Sequence, residues 1–526
     1  MIKFPQLLAL QFLAFASVAH GQYGCSTNAD NTLTITNYTG PGGVLTIPTS
    51  INGLTVTGIA ENAFYAKTSL SGVTIPGSIN SIGNQGFYYC TNLTNVSLEA
   101  GVASLGIASF SSCLSLPSIV IPDSITNGGD FAFAECIALT NVVIGKGLAD
   151  LKGTFNSCIR LGSVTVPATI TNVHSAFAGC SRLTNITIPP SLTNIQGAFE
   201  GCTGLTNFVI PNFVTGIGQF AFAGCTSLGN IVIPESVTNI DSNAFESCTS
   251  LGSVTIPASV RQIAGSTIPV NTPSGGAFVG CASLTNLSIL GSPTLGECAF
   301  YDDPLTSVYI YGGVIGERAF QYSVTLTSVT FGSGSTSIGA FAFLGASITN
   351  LAIPDSVTCI SDGAFEGCAN LTDVVIGAGL ANIEDYAFDQ DPKLTNVLFL
   401  GNAPTVVNVG DQPVFAYSPT TVYYLPGTTG WSNTFGTTIY YPGGAPTVLW
   451  NPLIQTSDGH FGVRSNQFGF NITGTANIPI VVKACANLSS PVWTPVTNVL
   501  LTNGSYYFSD PQRTNYPTRF YGIGFL

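Results

Sequence analysis

The chain has 526 residues, of which only 7% are Asp, Glu, Lys or Arg, and a formal net charge of −13. Scattered Lys and Arg on an acidic background argue against nucleic acid, whose binding needs clustered positive charge. Hydrophobic residues make up 45% of the chain, yet past the leader no apolar run approaches the ~20 residues needed to span a bilayer.

Residues 1–21 read as a secretory signal. Lys3 supplies the positive start, Leu7 to Val18 the apolar core, and Ala19-His20-Gly21 a small-x-small cleavage site, which places the mature start near Gln22. Residues 22–43 alternate apolar and polar side chains without the motif that follows. They fit the N-terminal cap that a repeat stack needs over its first core layer.

From residue 44 to 400 one phrase returns about every 23 residues: Ala-Phe-x-x-Cys-x-x-Leu-x-x-Val-x-Ile-Pro-x-Ser-Val-x-x-Ile. Phe64 begins the series. Phe87, Phe110, Phe133, Phe155, Phe177, Phe199, Phe222 and Phe245 continue it, and Phe278, Phe300, Phe320, Phe343, Phe365 and Phe388 follow an insertion. Self-similarity at this period implies a solenoid of about 15 rungs, each burying an apolar side against its neighbours. In Leu228–Ile240, Ile231-Val232-Ile233 reads as a strand, Pro234 ends it because proline cannot donate to a ladder, and Ile240 returns to the core. Ser242 to Phe245 forms a short helical or turn segment. One strand per repeat, about 4.8 Å from the next, predicts a parallel ladder. Val73, Val96, Ile119, Val164, Ile186, Ile231 and Val254 should point inward. Thr74, Ser97, Val120, Thr165, Thr187, Val232 and Thr255 should line the open face.

Ten of the 14 cysteines sit three residues after the repeat Phe: Cys90, Cys113, Cys136, Cys158, Cys180, Cys202, Cys225, Cys248, Cys281 and Cys368. No compact C-x-x-C spacing suggests a metal site, and no cofactor is expected. The column reads as buried, unpaired thiols, since Cys is among the most buried residue types. The sequence leaves open the pairing of Cys25, Cys298, Cys359 and Cys485.

Gly265 to Gly275 lengthens one period, and from Leu290 to Gly345 the copies degrade. The Cys position becomes Asp303, Ser323 and Ala346. The strand Val308-Tyr309-Ile310-Tyr311 is unusually aromatic. A uniform face of Thr, Ser and Val offers little to recognise, so Tyr309 and Tyr311 are the candidate ligand-binding residues, with the 265–275 loop at their rim. Exposed Tyr orders at small entropic cost and is enriched at interface hot spots.

The motif stops near Leu400. Residues 401–445 read as a C-terminal cap and linker. Leu425-Pro426-Gly427-Thr428 invites comparison with a sortase signal, but Thr429 follows in place of Gly, and the segment reads as a turn. In residues 446–526, short alternating segments such as Phe468–Ile472, Ile480–Ala484, Tyr506–Phe508 and Arg519–Ile523 predict a small antiparallel β-sandwich.

Catalytic motifs do not appear. His20 leaves with the signal, His174 fills a position held elsewhere by Asp241 or Gly339, and His460 lies in a polar turn. There is no G-x-S-x-G between a strand and a helix, no H-E-x-x-H and no phosphate loop. Glu246 and Glu366 stand on turns rather than in a cleft, unlike a glycosidase pair.

The phrase running from Leu205 to Cys225 resembles the leucine-rich repeat, specifically its BspA-like bacterial subclass, over residues from about 44 to 400. That resemblance implies a parallel-stranded solenoid on secreted or surface-exposed proteins, several of which are adhesins. The stretch from Val422 through Trp450 to Tyr521 resembles a tail module of secreted proteins from environmental bacteria. Together these imply a secreted or cell-surface, non-catalytic protein that uses the solenoid face for protein–protein interaction or adhesion. Its partner would be an extracellular protein or cell-surface ligand. Carbohydrate or matrix attachment through the C-terminal module, with a polysaccharide partner, is the alternative, and a structural spacer is the third reading.

Overall fold

The structure is a computed structural model. It describes residues 21–525 apart from 266–274, 408–411, 438–442, 465–466, 513–514 and 517. The expected signal therefore lies outside the described residues, except for Gly21. Two compact units divide the chain, Met1–Pro304 and Leu305–Leu526. No α-helix occurs among the described residues, and the two units together hold about 17 parallel turns.

In the first unit each repeat contributes a longer strand, and most add a shorter one. The longer one runs in parallel register with its neighbours, as in Ser163–Thr165 with Asn185–Thr187 and Asn207–Val209 with Asn230–Val232. The shorter one forms a second ladder, as in Gly216–Ile217, Asn239–Ile240 and Gln262–Ile263. Proline makes the corner between them. The carbonyl of Pro234 accepts the N–H of Val237 at 3.0 Å, and Pro211 and Pro257 act in the same way on Val214 and Val260. The strand cannot run through a residue that has no N–H.

The Phe segment is a turn, which settles the helical-or-turn expectation. Around most of the Phe residues it contains two left-handed residues, two before and two after: Asn243 and Ser247 around Phe245, Phe220 and Gly224 around Phe222. Glycine in A-F-x-G-C meets the second requirement without a Cβ penalty. Between these residues each Phe N–H bonds to the next rung, as Phe222 does to the Ala244 carbonyl at 2.8 Å. The rings then stack, with Phe87 and Phe110 at 5.0 Å and 2°. Tyr38 takes the Phe place at the N-terminal end, stacked on Phe64 at 5.1 Å. It belongs to the strand Leu33–Tyr38, which pairs antiparallel with Tyr23–Thr27 and parallel with Leu54–Ile59.

The predicted register is the one observed. Val73, Val96, Ile119, Val164, Ile231 and Val254 are buried and Ile186 is half-buried, while Val120, Thr165, Thr187, Val232 and Thr255 are exposed.

The second unit opens with two long strands, Ser307–Ile315 and Ser328–Ile338, paired in parallel. Both lack the corner proline and run on without the usual turn. Ile310-Tyr311-Gly312-Gly313 and Phe331-Gly332-Ser333-Gly334 stand where Ile-Pro-x-Ser stands elsewhere, and the backbone continues from one ladder into the other. Parallel pairing then runs through Asn350–Ile353, Asp373–Ile376 and Asn396–Phe399, and past residue 400 into Thr421–Tyr424 and Ala445–Leu449. These last rungs have lost the motif and kept the pairing, so the ladder outlasts the sequence repeat. Leu425 to Thr428 is a turn.

Two antiparallel sheets follow. One joins Gln467–Thr473 to Leu453–Gln455, Gly462–Arg464 and Ser505–Asp510; the other joins Pro479–Cys485 to Thr494–Leu500 and Phe520–Gly524. Phe470, Ile472, Phe508, Ile480 and Val482 fill the space between them. A buried ion pair pins the two sheets: Arg519 lies 2.9 Å from Asp510, whose carboxylate also accepts the Tyr521 hydroxyl at 2.6 Å.

Candidate binding surface

The open face of the long-strand ladder presents two outward columns per rung. One holds Asn or Ser, as at Asn185, Asn207, Asn230 and Ser253. The other holds Thr or Val, as at Thr187, Val209, Val232 and Thr255. Each column is an array of small, stiff side chains on a hydrogen-bonded backbone.

Tyr309 and Tyr311 interrupt this pattern. They lie on Ser307–Ile315 with Val308 and Ile310 buried between and beside them, so both rings leave the same side of the strand, 38% and 44% exposed. Tyr309 pairs with Thr330 on the next strand. Beside Tyr311 stands Gly332, whose missing Cβ leaves room for the Tyr311 backbone. The tyrosines therefore rise above low neighbours. Most of the loop expected at their rim, residues 266–274, lies outside the described residues.

Within the second unit, the C-terminal sandwich covers the last part of the long-strand face. Along the outward column Ala352 is exposed, Val375 half-buried, Leu398 and Tyr423 buried and Val448 half-buried. Leu398 and Tyr423 share one apolar cluster with Phe470, Ile480 and Phe508 of the sandwich. Phe525 meets Tyr423 edge-on at 5.4 Å and Trp450 at 5.8 Å, and the Trp450 indole N–H donates to the Pro479 carbonyl at 2.9 Å. Sequence reading missed this cover. Its signal was present: Thr and Ser give way to Val, Leu and Tyr at the outward position of successive rungs.

The ten repeat cysteines are all buried and unpaired. Burial pushes the Cys90 thiol up to about 12 and raises those of Cys113, Cys202 and Cys281 well above the ordinary thiol value. They are packing groups rather than nucleophiles.

The model of the BspA-type leucine-rich repeat region matches residues 57–175, 152–269 and 293–419, more than half of the chain. The chain belongs to the BspA-type leucine-rich repeat family. Among solved structures, a leucine-rich repeat protein from Bacteroides ovatus is 24% identical, with a TM-score of 0.55 over 72% of this chain and 93% of that one. A leucine-rich cell surface protein from Faecalibacterium prausnitzii is 26% identical over 73% of this chain and 94% of that one, with a TM-score of 0.36. The T. pallidum leucine-rich repeat protein is 31% identical over 35% of this chain and 88% of its own, with a TM-score of 0.34. A search of curated proteins finds no match. BspA-type repeats typically belong to cell-surface or secreted proteins, and among the described residues no helix is long and apolar enough to cross a membrane.

Proposed function

We propose that the protein is a secreted or cell-surface, non-catalytic binding protein that engages another extracellular protein through its open strand face, with Tyr309 and Tyr311 as anchors. The observation that carries this reading is the pair of half-exposed rings on one side of a rigid strand, above neighbours too small to compete for contact. Such rings contribute large contact area at little conformational cost. The leader expected in residues 1–21 supports export.

A second reading, attachment to carbohydrate or matrix through the tail, draws on the sandwich's own exposed aromatics, Phe461, Trp493, Tyr506 and Tyr507. Cutting the chain between solenoid and sandwich would bare Leu398 and Tyr423, so the full chain is the right reagent. Pull-downs with the purified chain against surface-labelled cells should recover a protein partner. Tyr309→Ala with Tyr311→Ala should lose it at an unchanged melting temperature, and Trp493→Ala should keep it. Loss with Trp493→Ala alone would move the site to the tail.

A further inference from the structure

Three successive rungs of the first unit depart from the repeat at a place unrelated to the open strand face. Leu151, Val173 and Ile195 are each followed by three residues before the Phe, where Ile217 and Ile240 are followed by four. The shortened turns loosen the Phe column. Phe133–Phe155, Phe155–Phe177 and Phe177–Phe199 are 6.2, 6.0 and 6.3 Å apart, whereas the other neighbouring pairs of this unit lie between 4.6 and 5.5 Å. The second ladder shrinks here to isolated bridges, Asp150 with Asn172 and Asn194 with Gly216.

The short rungs also carry larger polar side chains at this edge. In regular rungs Gly83 and Gly106 follow the short strand, each so close to the preceding rung's backbone that a Cβ would collide. In the short rungs the equivalent places hold Lys152, His174 and Gln196. With Asp150, Asn172 and Asn194 they line a shallow polar depression on the edge of the solenoid. Its inner column is fixed by the backbone. Asp150, Asn172 and Asn194 each accept, through Oδ1, the N–H two residues on, at 2.7, 3.0 and 2.9 Å. Their second polar atoms remain available or bridge rungs, as Asn172 Nδ2 does to Asp150 Oδ2 at 3.0 Å. At one end Lys152 pairs with Asp130 at 2.8 Å. Next to Asp130 the Phe131 ring, 39% exposed, lies over Gly153.

We propose that this depression is a binding site for a neutral, linear polysaccharide lying along the solenoid axis, one sugar unit to each rung. The polar groups repeat at the ladder spacing of about 4.8 Å, and a pyranose in an extended chain advances by about that much. The fixed carboxylate and amides of Asp150, Asn172 and Asn194, flanked by the His174 imidazole and the Gln196 amide, supply donors and acceptors for ring hydroxyls. Asp130 and Asp150 outnumber the lone Lys152, a net charge of −1 that disfavours an anionic ligand and is too small to hold a cationic one by charge alone. Phe131 offers an apolar ring face for the sugar's C–H side. The proposal does not rest on the tyrosine reading, which concerns another ladder and another unit.

Native affinity electrophoresis of the full chain tests it, in gels containing hydroxyethylcellulose, xylan, galactomannan or mixed-linkage glucan. At least one should retard the protein. Lys152→Ala, His174→Ala and Gln196→Ala combined should abolish retardation, a loss of at least about tenfold in affinity, with the melting temperature unchanged. Gln196→Ala alone, which keeps the backbone N–H that Asn194 accepts, should weaken it measurably and guards against misfolding of the triple variant. Retardation by none of the four polymers overturns the proposal. So does retardation that survives both variants, or that disappears only with Trp493→Ala in the tail.

Discussion

The thiol of Cys202 donates a hydrogen bond to the carbonyl of Phe177, one rung back, at 3.1 Å. All ten repeat cysteines do the same, from Cys90 on Phe64 at 3.1 Å to Cys368 on Phe343 at 3.5 Å. The Phe177 carbonyl also accepts the Cys180 N–H, so the thiol satisfies a second lone pair that would otherwise be buried without a partner.

This bond revises what a serine should do. A hydroxyl in an apolar stack costs about 1–3 kcal/mol when it finds no partner, but here the partner is present. Ser418, in the Cys position of its own rung, donates to the Phe388 carbonyl at 2.8 Å, whereas Ser323, in the same position of its rung, is buried with its hydroxyl unpartnered. Cys202→Ser should therefore cost about 1 kcal/mol, and Cys202→Ala, which loses the bond and leaves a void, about 1–3 kcal/mol. Denaturant melts of the two variants decide the order. A serine costlier than alanine would mean that the thiol matters for volume alone.

The thiols should also be silent in the native protein. Burial raises their pKa values, and only Cys25 and Cys359 are even partly exposed. Maleimide labelling at pH 7.5 should modify those two at most in the folded chain, and all 14 cysteines in denaturant without reductant. Pairs that stay unlabelled until reduction would replace the thiol column with disulfides.

Much of this was legible because a rung is a local object. Alternation at Ile231-Val232-Ile233 sets the register, Pro234 sets the corner, and Phe245 and Cys248 set the turn. What escaped depends on relations between rungs. The Cys-to-Phe bond joins residues a whole period apart. The merging of two strands at Tyr311-Gly312-Gly313 is not written in the missing proline alone, since Gly145 and Gly377 replace that proline in rungs that keep their corner. The polar edge at Lys152, His174 and Gln196 is written as one residue lost from each of three turns, a spacing change that leaves the motif intact. The tail's seat on Leu398 and Tyr423 reads along each strand as ordinary β alternation, and only comparison down the column reveals it.

The second unit should be more stable in mild acid than in mild base. Asp391 occupies the Cys position, and burial pushes its carboxyl up to about 9, with Asp389 and Glu366 adding to the effect. Burial likewise raises Asp362 to about 6, and Glu366 and Asp389 move in the same direction. Carboxyls whose folded pKa exceeds the unfolded value hold protons that the unfolded chain gives up. Their stabilisation is complete below about pH 4 and fades as pH rises through about 6 for Asp362 and about 9 for Asp391. Melting should fall from pH 5 to pH 9. Asp391→Asn should flatten that slope, and Asp391→Cys should stabilise at pH 8 by about 1–3 kcal/mol. An identical slope in wild type and Asp391→Asn would show that the carboxyl is not buried as described.

The outward column gives a paired test of how the tail is held. Val232 and Leu398 occupy equivalent outward places on their strands, but Val232 is 52% exposed and Leu398 2%. Returning each to the repeat's usual Thr changes similar chemistry in opposite surroundings. Val232→Thr should fall within about 0.5 kcal/mol of wild type, as surface changes do. Leu398→Thr removes buried methyl groups and sets a hydroxyl against Phe470 and Ile480, for about 2–4 kcal/mol. The loss should be local. Trp450 packs against Phe525 at this junction, so its fluorescence should shift at lower denaturant in Leu398→Thr, and protease should cut the sandwich strands first. If the two threonines cost the same, the sandwich does not rest on this face, and the outward column stays open to its end.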